Sequence, residues 1–381
     1  MDFDTRYPDM EALREKARRR MPRFAFEYLD GGCNEDVNLH RNTSELRKVR
    51  LEPRYIRSFG GADTTCELFG HRYDAPFGVA PVGLQGLMWP NAPEILARAA
   101  YTHNIPFILS TVTTMSIERA AELTGGRAWF QLYNPVEAHV RKDVIQRAAA
   151  AGCPVLVVLC DVPTFGYRPR DIRNGLAMPP KMSLANIVQI LGKPRWALQT
   201  LRHGQPTFET LKPYTPEGLN LKQLGLFMNQ TFSGLLDPEK IKPIRDQWQG
   251  KLVLKGVASE WDAEQALKLG FDGIIVSNHG GRQLDAGEAT IKPLQRLAKA
   301  YGDKLTVMVD SGLRGGPDVA RAMASGAAFT FMGRSFMYGV GALGARGGDH
   351  TISMLKTQFR QNMEQLCCER VADLPGHLIH S

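Results

Sequence analysis

The sequence predicts an α/β fold, a (β/α)8 TIM barrel with an N-terminal helical segment and a long insertion after strand 4. Three observations carry this. From residue 76 onward eight short apolar, β-branched runs recur, and most lead into an amphipathic stretch of helical period. Polar or charged residues close nearly every run, as suits the rim on which barrel enzymes carry their chemistry. The first run is followed by Ala80-Pro81-Val82-Gly83, which is not the glycine-rich fingerprint of a doubly wound sheet, so that fold stands second.

Taken in order, the 381 residues read as one domain, with an N-terminal segment over 1–75, the barrel over 76–345 and a C-terminal helix and tail over 346–381. Residues 8–29 have helical period, with Leu13, Met21, Phe24 and Tyr28 among the apolar positions and Arg18-Arg19-Arg20 on a solvated side. Asp30-Gly31-Gly32 should end that helix, because paired glycines terminate strongly. Residues 45–75 read as irregular chain with short strands. Barrel strands are expected at 77–80, 107–110, 128–133, 154–161, 252–256, 273–278, 306–310 and 328–333. Helices are expected at roughly 92–103, 116–123, 136–151, 260–269, 291–301, 317–325 and 335–345.

The rhythm breaks between about 171 and 240, where prolines stand at 179, 180, 194, 206, 213 and 216. One helical patch, 184–201, offers Ile187, Ile190, Leu191, Trp196 and Leu198 as apolar-face residues. From 175 to 225 there are six Lys or Arg against two Glu, so the insertion is basic. Basic residues interleaved with Trp, Leu and Phe suit an anionic membrane surface, and equally a solvated lid over the barrel mouth.

The bulk numbers set limits. An apolar share of 43% with 23% charged residues is ordinary for a soluble globular chain, and no run is long enough to span a bilayer. A net charge of +8 requires acidic partners to be weighed: nucleic acid, anionic lipid or an acidic substrate. Met1-Asp2-Phe3-Asp4-Thr5-Arg6 lacks the pattern of a signal peptide. Cys33, Cys66, Cys153, Cys160, Cys367 and Cys368 show neither metal-ligand spacing nor a disulfide framework, which points to a reducing cytoplasm and no metal.

Chemistry gathers at the strand ends. Strand two ends at Ser110, three at Gln131-Leu132-Tyr133, four at Asp161 with Arg168 beyond it, and five at Lys255. Strand six runs into Ser277-Asn278-His279-Gly280-Gly281-Arg282-Gln283-Leu284-Asp285. Strand seven ends at Asp310-Ser311-Gly312-Leu313-Arg314 and eight at Gly333-Arg334. Each residue alone has an ordinary use: Asp161 as a turn cap, Lys255 reaching to solvent, Gln131 satisfying a loop. A full rim of them is far harder to assign to packing. Glycines at 280 and 281 allow a sharp turn that brings a base, His279, beside a fixed cation, Arg282. Two arginines after strands seven and eight fit a phosphate, and Lys255, Gln131 and Ser110 across the rim ask for a large, flat ligand.

These residues resemble one family closely. Phe26-Glu27-Tyr28-Leu29-Asp30-Gly31-Gly32, Ala80-Pro81-Val82-Gly83, Phe130-Gln131-Leu132-Tyr133, Lys255-Gly256-Val257 and the 277–285 stretch are similar to the markers of the FMN-dependent α-hydroxy acid oxidase/dehydrogenase family. That family includes glycolate oxidase, the flavin domain of flavocytochrome b2 and bacterial L-lactate and (S)-mandelate dehydrogenases. The resemblance implies FMN as cofactor and roles residue by residue. His279 would be the base and Asp161 the carboxylate that stabilises its imidazolium. Arg282, Tyr28 and Arg168 would hold the substrate carboxylate, and Tyr133 would contact a substrate oxygen. Lys255 would offset charge on the reduced flavin. Ser110, Gln131, Ser277 and the backbone of Pro81-Val82-Gly83 would touch the flavin. Asp310, Ser311, Gly312, Arg314, Gly333 and Arg334 would serve the ribityl chain and phosphate. The implied reaction takes an (S)-2-hydroxy acid to the 2-oxo acid, and leaves open whether the Cα hydrogen departs as hydride or proton.

Leu159 stands where many members of that family carry threonine, so one hydroxyl contact to the flavin should be missing, and Val82 stands where several have threonine. Gly83 resembles the membrane-linked dehydrogenases, which with the basic insertion favours a quinone as acceptor and a cytoplasmic enzyme peripheral on the inner face of the cell membrane. An O2-using oxidase and a lactate-monooxygenase-like enzyme are the alternatives. The resemblance also implies a homo-oligomer, a tetramer, and no nucleic acid partner.

Overall fold

Eight short parallel strands close on themselves around a core of large side chains. The computed structural model describes residues 4–176, 183–204, 206–216, 231–232 and 234–379. A hairpin of β1 (Cys66–Leu68) and β2 (His71–Tyr73) precedes the barrel. The barrel strands are β3 (Phe77–Val79), β4 (Ile108–Ser110), β5 (Trp129–Leu132), β6 (Val155–Leu159), β7 (Lys251–Val257), β8 (Gly273–Val276), β9 (Thr306–Val309) and β10 (Phe329–Met332). Their order is β3-β10-β9-β8-β7-β6-β5-β4. The ring shuts at β3 and β4, where Val79 bridges Phe107 and donates its N–H to the Pro106 carbonyl at 2.9 Å. Runs such as Val155–Leu159 are buried at every position, because helices cover one face and the barrel interior the other.

The interior is filled, not hollow. Ile108, Trp129, Val157, Val253, Ile275 and Phe331 pack together, and the hairpin adds Leu68 and Tyr73. Tyr73 meets Phe329 with ring centroids 5.6 Å apart, and Phe69 meets Trp129 at 5.8 Å. The hairpin therefore plugs one mouth and leaves the strands' C-terminal ends for chemistry.

Three helical readings change. The stretch 8–29 is two helices, Met10–Arg20 and Arg23–Asp30. Pro22 has no N–H to donate and forces Met21 into extended backbone. A helix at Val37–Leu46 has no counterpart in the sequence reading. The patch 184–201 is likewise two helices, Leu184–Leu191 and Pro194–His203, broken where Pro194 starts the second. Of its apolar residues Trp196 is buried and Ile190 half-buried, while Ile187, Leu191 and Leu198 face solvent. The insertion's stretches 177–182 and 217–230, with the prolines at 179 and 180, lie outside the described residues. The 346–381 segment carries a helix, Gly347–Leu366, packed on the barrel through Ile352, Leu355 and Phe359.

Candidate active site

The loop after β8 is built by conformation first. His279, Gly280 and Gly281 have φ of 58°, 67° and 73°, three successive residues in the left-handed region. A Cβ at Gly281 would stand 2.5 Å from the Leu39 backbone nitrogen, so the loop can lie against the Val37–Leu46 helix only as glycine. Polar ties finish the seat. Asn278 Nδ2 donates to Asn42 Oδ1 at 2.7 Å, Asn42 Nδ2 donates back at 2.9 Å, and the Asn38 N–H reaches Asp285 at 2.9 Å.

This conformation turns His279 towards β6. Its Nδ1 lies 3.2 Å from Asp161 Oδ1, and its N–H donates to Ser277 Oγ at 3.1 Å. Asp161 fits because Gly256, at φ 106° beside a register shift in β7, has no side chain; a Cβ there would stand 2.5 Å from the Asp161 Cβ. The second Asp161 oxygen is buried without a hydrogen-bond partner among the described residues, and His279 Nε2 has none there either. Lys255 lies in the same strand just before Gly256, with Nζ 3.1 Å from Asp310 Oδ2 and 3.0 Å from Ser277 Oγ.

The charges order themselves. Burial holds the His279 imidazole below its ordinary value of 6.5, and Lys255 and Arg168 add to this against the pull of Asp161. Burial works against the Asp161 carboxylate, but His279 and Lys255 together keep it below the ordinary carboxylate value. Burial likewise opposes the Lys255 cation, and Asp310 with Asp161 more than compensates, so the ammonium is raised. A neutral imidazole thus stands between an ionised carboxylate and a fixed ammonium at neutral pH. Because protonation of His279 removes the base, kcat/KM should fall on the acid side with a pKa below 6.5. A pH profile of the free enzyme whose acid limb lies above that value would reject the assignment.

Across the cleft, Arg282 donates to the Tyr28 carbonyl at 2.6 Å and the Gly31 carbonyl at 2.9 Å, and its guanidinium lies 4.8 Å from the Tyr28 ring centre. Arg168 reaches Gln283 Oε1 at 3.0 Å and the Arg282 carbonyl at 3.3 Å. Asp171 lies 3.8 Å from Arg282 and 3.7 Å from Arg168, between two cations that repel each other. The Tyr28 and Tyr133 hydroxyls have no hydrogen-bond partner among the described residues, and both residues line the cleft. Burial pushes the Tyr133 phenol up, so it stays a donor at neutral pH.

At the other end Ser311 (φ 73°) and Gly312 (φ 91°) turn the chain after β9, and Gly333 opens the helix Arg334–Leu343 after β10. Arg334 directs three donors to the carbonyls of Leu29, Gly31 and Gly280, at 2.9–3.0 Å. Burial, with repulsion from Arg314, lowers its guanidinium to about 9.

The structure brings Tyr28, Pro81, Val82, Gly83, Tyr133, Arg168, Lys255, His279, Arg282, Asp310, Ser311, Gly312, Arg314, Gly333 and Arg334 to one cleft. Ser110, Gln131 and Ser277 are buried at their strand ends, outside the residues that line it, and Asp161 is reached through His279. The sequence points to the insertion and to Leu84–Trp89 for the variable part of the lining without placing its residues, which are Leu84, Met88, Phe208 and Phe232, and it gives no sign of Val112 and Phe165. Phe232 lies with its ring centre 5.5 Å from that of Tyr133. Phe208 and Phe232 come from the insertion, where no periodicity marks them.

A barrel whose rim joins an imidazole–carboxylate pair, a buried ammonium and two sets of arginines is an enzyme that moves a proton beside a bound anion. Residues 17–381 match the family model described as FMN-dependent dehydrogenase. An L-lactate dehydrogenase of Caulobacter sp. (strain K31) is 37% identical, with 92% of each chain covered. One of Bartonella tribocorum (strain CIP 105476 / IBS 506) is 35% identical over 94% of this chain and 96% of the relative. The solved structure of the monotopic membrane protein (S)-mandelate dehydrogenase superposes with a TM-score of 0.92 at 32% identity, covering 98% of this chain and 99% of that one. A mandelate oxidase superposes at 0.84 with 31% identity and 98% coverage of both. The chain belongs to the FMN-dependent dehydrogenase family.

The residues present fit FMN. Arg314 and Arg334 face one end of the cleft and repel each other, with no acidic ion-pair partner among the described residues, which suits a dianionic phosphate. Small residues, Ala80 and Gly83 among them, line the cleft beside Lys255, and a Cβ at Gly83 would stand 3.0 Å from Val112 Cγ2.

Proposed function

We propose that this FMN-dependent dehydrogenase oxidises an (S)-2-hydroxy acid to the 2-oxo acid and passes the electrons to a membrane quinone. The observation that carries the reading is the His279 Nδ1–Asp161 contact at 3.2 Å, in one cleft with Arg282, Arg168 and Lys255. Arg282 and Arg168 hold the substrate carboxylate, with the Tyr28 and Tyr133 hydroxyls as further donors. His279 takes the hydroxyl proton at Nε2, since Nδ1 is committed to Asp161, whose charge stabilises the imidazolium that results. FMN, when bound, supplies the two-electron acceptor. Lys255 would set a positive charge beside it, Ser110, Gln131, Ser277 and the Pro81–Val82–Gly83 backbone would hold its ring, and Asp310, Ser311, Gly312, Arg314, Gly333 and Arg334 would hold the ribityl chain and phosphate. The relatives' substrates, lactate and mandelate, share the 2-hydroxy carboxylate. The apolar walls Met88, Val112, Phe165, Phe208 and Phe232 favour a bulky apolar side chain over that of lactate.

The membrane assignment rests on the two insertion helices. Leu184, Leu191 and Leu201 are 82%, 74% and 81% exposed, beside Lys193, Arg195 and Arg202. Exposed leucines among cations suit an anionic bilayer surface. No helix among the described residues is long and apolar enough to cross a membrane.

The test is anaerobic bleaching of the flavin by glycolate, lactate, mandelate and longer 2-hydroxy acids, followed by reoxidation with quinone in anionic vesicles or with air. Bleaching by an aromatic acid and reoxidation by quinone are expected. No bleaching by any acid sinks the reaction, and rapid H2O2 release in air makes the enzyme an oxidase. The double variant Leu184→Glu, Leu191→Glu should lose vesicle partition with turnover of soluble acceptors intact; unchanged partition removes the membrane reading.

A further inference from the structure

The proton-accepting pair, Asp161 and His279, and the carboxylate-binding pair, Arg168 and Arg282, each take one residue from the loop after β6 and one from the loop after β8, and one side chain ties the two loops together. Gln283 Nε2 donates to the Asp161 carbonyl at 3.2 Å and the Thr164 carbonyl at 2.9 Å. Its Oε1 accepts from Arg168 Nη2 at 3.0 Å and from the Gly166 N–H at 3.3 Å. Two donors and two acceptor positions are all that a carboxamide has, and all four are used. All four partners lie between 161 and 168, so one amide spans the whole β6 loop.

The loops are also in backbone contact there. Gly166 lies against the Arg282 carbonyl, and a Cβ at 166 would stand 3.2 Å from Gln283 Cα and closer still to that carbonyl. Arg168 Nε donates to the same carbonyl at 3.3 Å. Arg168 is therefore held by Gln283 and by the backbone that also carries Arg282, while Asp171 is a more distant 3.7 Å away. The Asp161 carboxylate touches His279, and the Asp161 carbonyl touches Gln283, four residues further along the same loop.

We propose that Gln283 is a positioning residue for the reaction, fixing Arg168 for the substrate carboxylate and Asp161 for His279 through one fully used amide. The proposal rests on the reading of His279 and Arg168 as working groups. No other natural side chain of this length supplies two donors and an acceptor without charge. A glutamate would lose both donors to the carbonyls of Asp161 and Thr164 and add a negative charge where the substrate carboxylate binds. A misplacement of about 1 Å in such a site costs on the order of 10²-fold in rate.

The test is Gln283→Met in the FMN-loaded enzyme, which keeps length and loses every hydrogen bond. Thermal melting and the flavin spectrum should be close to wild type, while kcat/KM falls on the order of 10²-fold. The fall should divide between a higher KM, through Arg168, and a lower kcat, through Asp161 and His279. In an Arg168→Met background the KM part should vanish, and in an Asp161→Asn background the kcat part, because coupled residues are not additive. Calorimetric Kd values for the 2-oxo acid product should repeat the KM pattern without turnover. Equal losses in all backgrounds, or unchanged KM and kcat, overturn the proposal. Should Gln283→Met not fold, Gln283→Asn, too short to serve all four partners, replaces it with the same expected and overturning results. Wild-type enzyme with no turnover of any 2-hydroxy acid rejects the functional reading instead, a separate outcome in the same assay.

Discussion

Replacing His279 with glutamine should leave the barrel folded and FMN bound, while turnover of the 2-hydroxy acid falls about 10²–10⁴-fold, the range contributed by a positioned general base. The amide can still donate to Asp161, now 3.2 Å from the imidazole, so the loop keeps its seat. It cannot take a proton. The backbone reason for expecting a folded variant is that His279's left-handed φ of 58° is anchored by its N–H on Ser277 Oγ and by Gly280 and Gly281 after it, not by the ring. Steady-state kinetics with the flavin spectrum as loading control measure the effect. Turnover within ten-fold of wild type would remove His279 as the base.

Arg282→Met should cost about as much through a different route. Removing one partner of a buried, hydrogen-bonded charge pair costs roughly 2–5 kcal/mol, about 30- to 4,000-fold in kcat/KM. Two effects add here. In the proposed reaction the substrate carboxylate would lose its fork, and the carbonyls of Tyr28 and Gly31 lose the donor that now reaches them at 2.6 and 2.9 Å. Arg282→Lys should recover only part of the loss, because one ammonium cannot serve two carbonyls and a carboxylate with the planar fork of a guanidinium. Full activity in the lysine variant would show that Arg282 contributes charge alone. A raised Kd for the 2-oxo acid in Arg282→Met, measured with FMN bound, separates lost binding from lost folding.

What the sequence makes legible follows the physics of each element. The barrel strands are readable because both faces of each are buried, which concentrates β-branched and aromatic residues into short runs such as Val155–Leu159. The helix Val37–Leu46 is not readable from apolar period, because half of its inner face is polar, with Asn38 and Asn42 beside Leu39 and Leu46. Asn38 and Asn42 are fully buried there, bonded to Leu284 and Asn278 of the β8 loop. An inward polar stripe at helical spacing was the available signal. The helix pair 184–203 runs in the opposite sense, since an apolar stripe normally points inward and most of this one faces out, with Ile190 half-buried and Trp196 turned into the protein to donate to the Met88 carbonyl at 3.0 Å.

The site divides in the same way. His279, Arg282, Lys255 and Asp161 stand at strand ends, whose meeting place the barrel topology dictates, so their convergence could be expected from the chain alone. Phe208 and Phe232 sit in chain of no regular period, and their approach to the cleft depends on how the insertion folds back. Arg334 combines both cases: its place at the β10 rim was foreseeable, its three backbone carbonyl partners were not.

Those carbonyls bear on how the chain assembles during synthesis. Leu29 and Gly31 leave the ribosome long before the Arg334 that holds them, at sequence separations of 305 and 303. Tyr28 likewise waits for Arg282, 254 residues on. The Arg23–Asp30 helix, with Phe24, Phe26 and Leu29 on its buried side, therefore gains its last hydrogen bonds only when the final quarter of the barrel exists. Over that interval it has only its earlier partners, among them Arg14 on Asp30 and Trp196 against Phe24, and a partly covered amphipathic helix is the kind of segment that chaperones bind and that aggregates when they are scarce. Its complete docking marks a finished barrel, because Arg282 and Arg334, which add the last of its carbonyl contacts, follow the strands made late.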